Sequence, residues 1–204
     1  MNHRCFSQVS LIFMILFLFM TLVSNVQGET IIAWDFEGYT GEEKTGEAIE
    51  KHPFFMVTDS SLYIRRGPGI KHVPNNNRFN ANSWAEADLI SALSQGDYFE
   101  WEIVPDPGCR LTLTSITMQL ERSSTGPSFF TLRSSQDHFE SDLGTWEISN
   151  TSAIITVDLS SLEETDSRIL FRLYGYGNSS AAGSAGFEGV GKDLIVEGTL
   201  VSKV

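Results

Sequence analysis

The chain has 204 residues, of which 41% are hydrophobic, 11% aromatic and 20% charged, the composition of one globular domain of ordinary size. Its 14 Lys and Arg stand against 26 Asp and Glu, for a net charge of −12. That balance argues against nucleic acid or anionic lipid as partner, because a polyanion must be met by clustered cations and the only adjacent pair is Arg65 and Arg66.

Residues 1–28 read as a signal peptide. Arg4 supplies a cation, an apolar run follows from Leu11 to Met20 and on through Leu22 and Val23, and Val26-Gln-Gly28 offers a small-residue cleavage site. The run is shorter than the ~20 apolar residues that span a bilayer. No lipobox cysteine follows it. The expected exported chain begins at Glu29 and is released, to the periplasm or the medium, without a stable membrane anchor. Cys5 leaves with the signal, so Cys109 stands alone, a small apolar residue at the start of a strand rather than a disulfide partner or zinc ligand. His52, His72 and His138 are scattered and form no motif with it.

From Glu29 onward the pattern is that of strands. Ile31–Phe36 alternates with Ile32, Trp34 and Phe36 on one face. Apolar spacing over Ala85–Leu93 predicts a short helix. Tyr98–Val104 turns Phe99, Trp101 and Ile103 inward and Tyr98, Glu100 and Glu102 outward. Pro105-Asp-Pro-Gly108 is a turn, since Pro fixes φ and Gly supplies a positive one. Arg110–Arg122 is a long strand whose parity slips near Thr114-Ser115, which predicts a β-bulge. Ser123–Pro127 turns the chain again. Phe129–Arg133, Ala153–Leu159, Ile169–Tyr174 and Asp193–Leu200 are further strands, and the small-residue stretch Gly175–Gly186 reads as a crossover loop. Short β-branched and aromatic segments between turns predict one all-β domain over 29–204, an antiparallel β-sandwich of jelly-roll type. Its core should include Trp34, Phe36, Phe99, Trp101, Ile103, Ile116, Met118 and Leu120.

Several of these segments resemble a family. Asp97-Tyr-Phe-Glu-Trp-Glu-Ile-Val-Pro-Asp-Pro-Gly108, Leu111-Thr-Leu-Thr-Ser-Ile116, Glu121-Arg-Ser-Ser-Thr-Gly-Pro127 and Leu132-Arg-Ser-Ser-Gln-Asp137 are similar to stretches of exported bacterial proteins, many of which carry PEP-CTERM sorting tails. So are Ala33-Trp-Asp-Phe-Glu-Gly38, Ile64-Arg-Arg-Gly-Pro-Gly69, Asn82-Ser-Trp84 and the closing Gly186–Gly198. The resemblance implies an exported jelly-roll-like module, sometimes attached to other domains, with no established catalytic residues. After Gly198 only Thr-Leu-Val-Ser-Lys-Val follows, without a Pro-Glu-Pro motif or apolar tail, so sorting to an anchor is not expected.

Three constellations carry candidate chemistry. Glu100 and Glu102 share a strand face about 6.5–7 Å apart, from a rise of ~3.3 Å per residue, which suits the carboxyl pairs of glycosidases at roughly 5–9.5 Å. Alternation alone also explains them as a solvated acidic face. Asp35, Glu37 and Asp193 approach one another if the first and last strands pair, and could hold a structural calcium through carboxylates and loop carbonyls. No other cofactor is called for. Arg65, Arg66 and Arg122 could recognise a carboxylate or sulfate on an acidic polysaccharide by bidentate hydrogen bonding, or pair internally with the abundant acids. Trp84, Tyr98, Trp146, Tyr174 and Tyr176 are the aromatics expected at the surface. The expected binding residues are Tyr98, Trp84, Trp146, Arg65 and Arg122. Asn150-Thr-Ser and Asn178-Ser-Ser match glycosylation acceptors, which matters only in a eukaryotic secretory pathway. The expected function is a non-catalytic secreted module for an extracellular glycan, cell-surface material or a surface protein. The alternative is a carbohydrate-active enzyme, a glycoside hydrolase or lyase, using Glu100 and Glu102.

Overall fold

The computed structural model describes residues 28–84 and 87–203. The signal segment therefore lies outside the described residues, except for Gly28. Strands dominate: β1 (Glu29–Trp34), β2 (Thr45–Glu47), β3 (Glu50–Lys51), β4 (Tyr63–Arg66), β5 (Lys71–His72), β6 (Phe79–Asn82) and β7 (Tyr98–Ile103). They continue with β8 (Cys109–Arg122), β9 (Phe129–Ser134), β10 (Gly144–Glu147), β11 (Ser152–Asp158), β12 (Ile169–Tyr176), β13 (Ala185–Phe187) and β14 (Leu194–Ser202). One helix, α1 (Leu89–Gln95), interrupts them among the described residues.

Two antiparallel sheets form. Sheet A runs β3-β1-β14-β8-β13-β6-β5, and β11 lies on the other side of β8, since Met118 of β8 pairs with both Leu194 and Ile155. Sheet B runs β10-β9-β12-β7-β4-β2. The inward faces meet in an aromatic core in which Trp101 stacks on Phe171 and Phe187 touches Phe36, Phe99 and Trp101. All eight residues expected in the core are there, each 1% exposed or less. Burying side chains of this size contributes about 1.5–3 kcal/mol each, the term that holds the two sheets together.

Local chemistry accounts for the irregularities. The parity slip in β8 is a bulge: Ser115 pairs with Glu197 and Leu113 with Gly198, leaving Thr114 unmatched. A Cβ on Gly198 would sit 2.2 Å from the Thr112 carbonyl oxygen, so the bulge admits only glycine there. The helix starts later than the spacing predicted. Asp88 caps it by accepting from the Ser91 N–H at 2.9 Å, and Gly96 ends it at φ 78°. The segment after β12 is a crossover from sheet B to sheet A, as expected. Its small residues allow backbones to touch, since a Cβ on Gly183 would lie 2.1 Å from the Thr125 carbonyl oxygen.

Candidate functional site

The inward direction of Phe99, Trp101 and Ile103 turns Tyr98, Glu100 and Glu102 to the opposite face of sheet B. Cross-strand register then assembles a charged row. Arg65 of β4 lies opposite Glu100, Glu100 opposite Arg172 of β12, and Arg172 opposite Arg133 of β9. Residues paired in this way share a face and stand about 4.5–5.5 Å apart.

Arg172 stands between Glu100 and Arg133 in the row. Its Nε donates to Glu100 at 2.8 Å, and its guanidinium lies 4.5 Å from the Tyr98 ring centroid and 4.1 Å from that of Phe139. Burial works against its charge. The hydrogen bonds it donates to Glu100 and Tyr174, with the field of Tyr98 and Glu100, outweigh that and raise its pKa. Burial likewise raises the Tyr98 pKa, opposed by Arg172 and assisted by Glu100 and Tyr174. Phe139 reaches Arg172 from a loop in which His138 and Phe139 both take positive φ, 62° and 63°. For a phenylalanine that conformation is costly and must be held in place. The Phe139 N–H donates to the Ser134 carbonyl at 2.9 Å, and Arg133 donates to the Phe139 carbonyl at 2.8 Å and to Asp142 at 2.6 Å. On the other flank, α1 packs Leu89, Ala92 and Leu93 against Tyr98, Tyr174 and Tyr176. The row thus lies between a helix and a pinned loop.

The sequence-predicted residues divide. Tyr98, Arg65 and Glu100 come together on this face. Trp84 does not: it is 2% exposed, donates to the Ala81 carbonyl and packs edge-on against Phe99 and Phe130, because the chain after β6 turns inward. Tyr174, also expected at the surface, is 2% exposed beneath α1. Trp146 lies partly buried against the main core, on the inward side of β10. Arg122 is a structural clamp, its donors engaged by the carbonyls of Ile148, Ser124 and Gly126. Arg66 is another. It donates to the carbonyls of Asn80, Glu43 and Gly41 over the Phe79 ring, and burial lowers its pKa to about 10 against the attraction of Glu43.

The carboxylate pair is differently held than alternation suggests. Glu102 is 3% exposed rather than solvated, accepting hydrogen bonds from Ser60 and Thr58 and pairing with Arg168. Glu100 is committed to Arg172. A cleft of about 550 Å³ opens by the turn at Ser135–Asp137, and neither glutamate lines it.

At the junction of the first and last strands, Asp35 and Asp193 do approach, since Trp34 pairs with Leu194. Their carboxylates satisfy backbone: Asp193 Oδ2 accepts from the Phe36 N–H at 2.8 Å and Asp35 from the Glu37 N–H at 2.9 Å, while Glu37 itself is exposed. Burial raises the Asp193 pKa to about 6, opposed by the Phe36 N–H and reinforced by Asp35 and Glu188. Among the described residues, no group of three or more His, Cys, Asp or Glu side chains is arranged to hold a metal ion. The calcium expectation therefore lacks its ligand set. Arg172, Arg133 and Phe139 were not singled out in the sequence. The alternation of Ile169–Tyr174 and of Phe129–Arg133 carried the available signal for the two arginines, each on the outward parity of a predicted strand. Comparison with protein-family models, with curated proteins and with solved structures finds no match for the chain.

Proposed function

We propose that the protein is a secreted, non-catalytic β-sandwich module that binds carbohydrate or other cell-surface material on the outer face of sheet B. The observation that carries this reading is the surface built by Tyr98, Arg172 and Phe139, flanked by Arg65 and Glu100, in which aromatic and planar polar groups are held rigidly side by side. Sugars are bound by such a combination, through apolar ring faces and a few fixed hydrogen-bonding groups. Non-catalytic action is supported by the state of the glutamates. Glu100 is ion-paired, Glu102 is buried in hydrogen bonds, and an acid–base pair needs access to water and substrate. A jelly-roll reading is supported by the strand orders β1-β14-β8-β11 and β7-β12-β9-β10, in which first and last strands are neighbours. Export rests on the signal-like residues 1–28. No helix among the described residues is long and apolar enough to cross a membrane.

Binding through one shallow face should be weak, with a Kd of ~10⁻⁵–10⁻³ M, or about 4–7 kcal/mol. A glycan array run beside a reducing-sugar assay tests the reading. Binding without hydrolysis is expected. Hydrolysis by the parent that Glu100→Gln abolishes while binding survives would make the protein a carbohydrate-active enzyme instead.

A further inference from the structure

We propose that Arg65, Arg172 and Arg133 form a subsite for an anionic sugar substituent, a uronate carboxylate or a sulfate ester, on the outer face of sheet B. The inference rests on the reading of that face as a glycan-binding surface and specifies the class of glycan.

The charge arrangement carries the argument. In a chain with 14 cations and 26 acids, internal pairing could neutralise every arginine. The row nonetheless sets Arg172 directly opposite Arg133, and Arg65 one strand beyond Glu100. Like charges opposed across strands destabilise a sheet. Within the row, three guanidinium groups face one carboxylate; Asp142 is taken by Arg133, and Glu102, farther along the same face, is engaged by Ser60, Thr58 and Arg168. Arg65 pairs with no carboxylate among the described residues; its hydrogen bond goes to the Ser60 carbonyl at 3.2 Å. Arg172 has Glu100 on its Nε, a hydrogen bond to Tyr174, and the Tyr98 and Phe139 rings within 4.5 and 4.1 Å, so its guanidinium is held in one orientation. A planar guanidinium fixed in this way matches a carboxylate or sulfate with two parallel hydrogen bonds, and its fixation lowers the entropy lost on binding. Phe139 is kept in a costly conformation against it. Local strain joined to like charges set opposite one another, with cations in excess of acids along the row, points to a site built for a ligand rather than for stability.

The net charge of −12 limits the size of ligand rather than forbidding it. At physiological ionic strength the Debye length is about 8 Å, so distant carboxylates are screened at the row while long polyanions crossing the acidic surface are repelled. Short acidic oligosaccharides should therefore bind better, per site, than long ones.

Calorimetry of the purified protein with a short oligogalacturonate, a sulfated oligosaccharide and a neutral oligoglucan provides the test. The two acidic probes should bind at least about tenfold more tightly than the neutral one, and the tighter of the two identifies the anion. Arg65→Gln should weaken acidic binding about tenfold and neutral binding by much less. Arg172→Lys, which keeps charge and loses the fork, should weaken acidic binding by a larger factor than neutral binding, since Arg172 also belongs to the shared face. Arg110→Gln, removing an arginine paired with Glu164 on sheet A, should have no effect. Equal affinity for acidic and neutral probes, or an equal loss in Arg110→Gln, would overturn the anionic subsite while leaving glycan binding intact. Tighter binding of an oligoglutamate would overturn it in favour of an acidic peptide. No binding of any glycan would overturn both readings.

Discussion

Replacing Asp193 by asparagine should stabilise the protein at neutral pH. Asp193 is 2% exposed, and its carboxylate accepts from the Phe36 N–H at 2.8 Å and also draws on the Gly189 backbone N–H. Its pKa in the folded chain is about 6, set by burial and by the repulsion of Asp35 and Glu188 over the help of the Phe36 and Gly189 backbone N–H groups. An unfolded aspartate titrates near ~4. Because the folded value is raised, the folded state holds this proton more tightly. The stabilisation is present at pH 4 and below, and is lost as pH rises through about 6. Integrated between pH ~4 and ~8, the loss is about 2 kcal/mol. Asparagine keeps the shape and an acceptor for Phe36 but never ionises. Urea unfolding followed by tryptophan fluorescence at the two pH values measures the difference. Relative to the parent, Asp193→Asn should gain about 2 kcal/mol more at pH ~8 than at pH ~4. An equal effect at both would refute the argument. So would a variant less stable than the parent at pH ~8; if a chelator removed that loss, a cation between Asp35 and Asp193 would be stabilising the charged form.

Trp101→Ala should cost about 3–5 kcal/mol in the same unfolding assay, since Trp101 is fully buried and its stacking partner Phe171 would face a cavity. Arg66→Met should cost about 2–4 kcal/mol by leaving the carbonyls of Asn80, Glu43 and Gly41 without their donor, whereas Arg65→Gln, with its single backbone hydrogen bond, should change unfolding by less than about 1 kcal/mol. If the two arginine variants were equally destabilised, the division between a clamp and a surface arginine would fail.

Alternation and turn chemistry reported the architecture well. The hydrophobic parity of Tyr98–Ile103 and of β8, with its slip at Thr114, is a local property of strands half buried on one face, so core membership and the bulge were legible without any partner strand. Short strands such as Tyr63–Arg66 and Ala185–Phe187 were not, because only pairing with distant strands makes them strands. The same limit governs the site. Parity says that Glu102 points away from the core, but the loop bearing Thr58 and Ser60 decides that it meets hydroxyls instead of water. Trp84 and Arg122 carry no local sign of whether a surface or a core receives them. Arg65, Glu100, Arg172 and Arg133 lie far apart along the chain, and the antiparallel registers of sheet B alone make them neighbours. Periodicity records which face a side chain takes, because that depends on its own backbone. What stands beside it depends on register, which the packing of the whole sandwich selects.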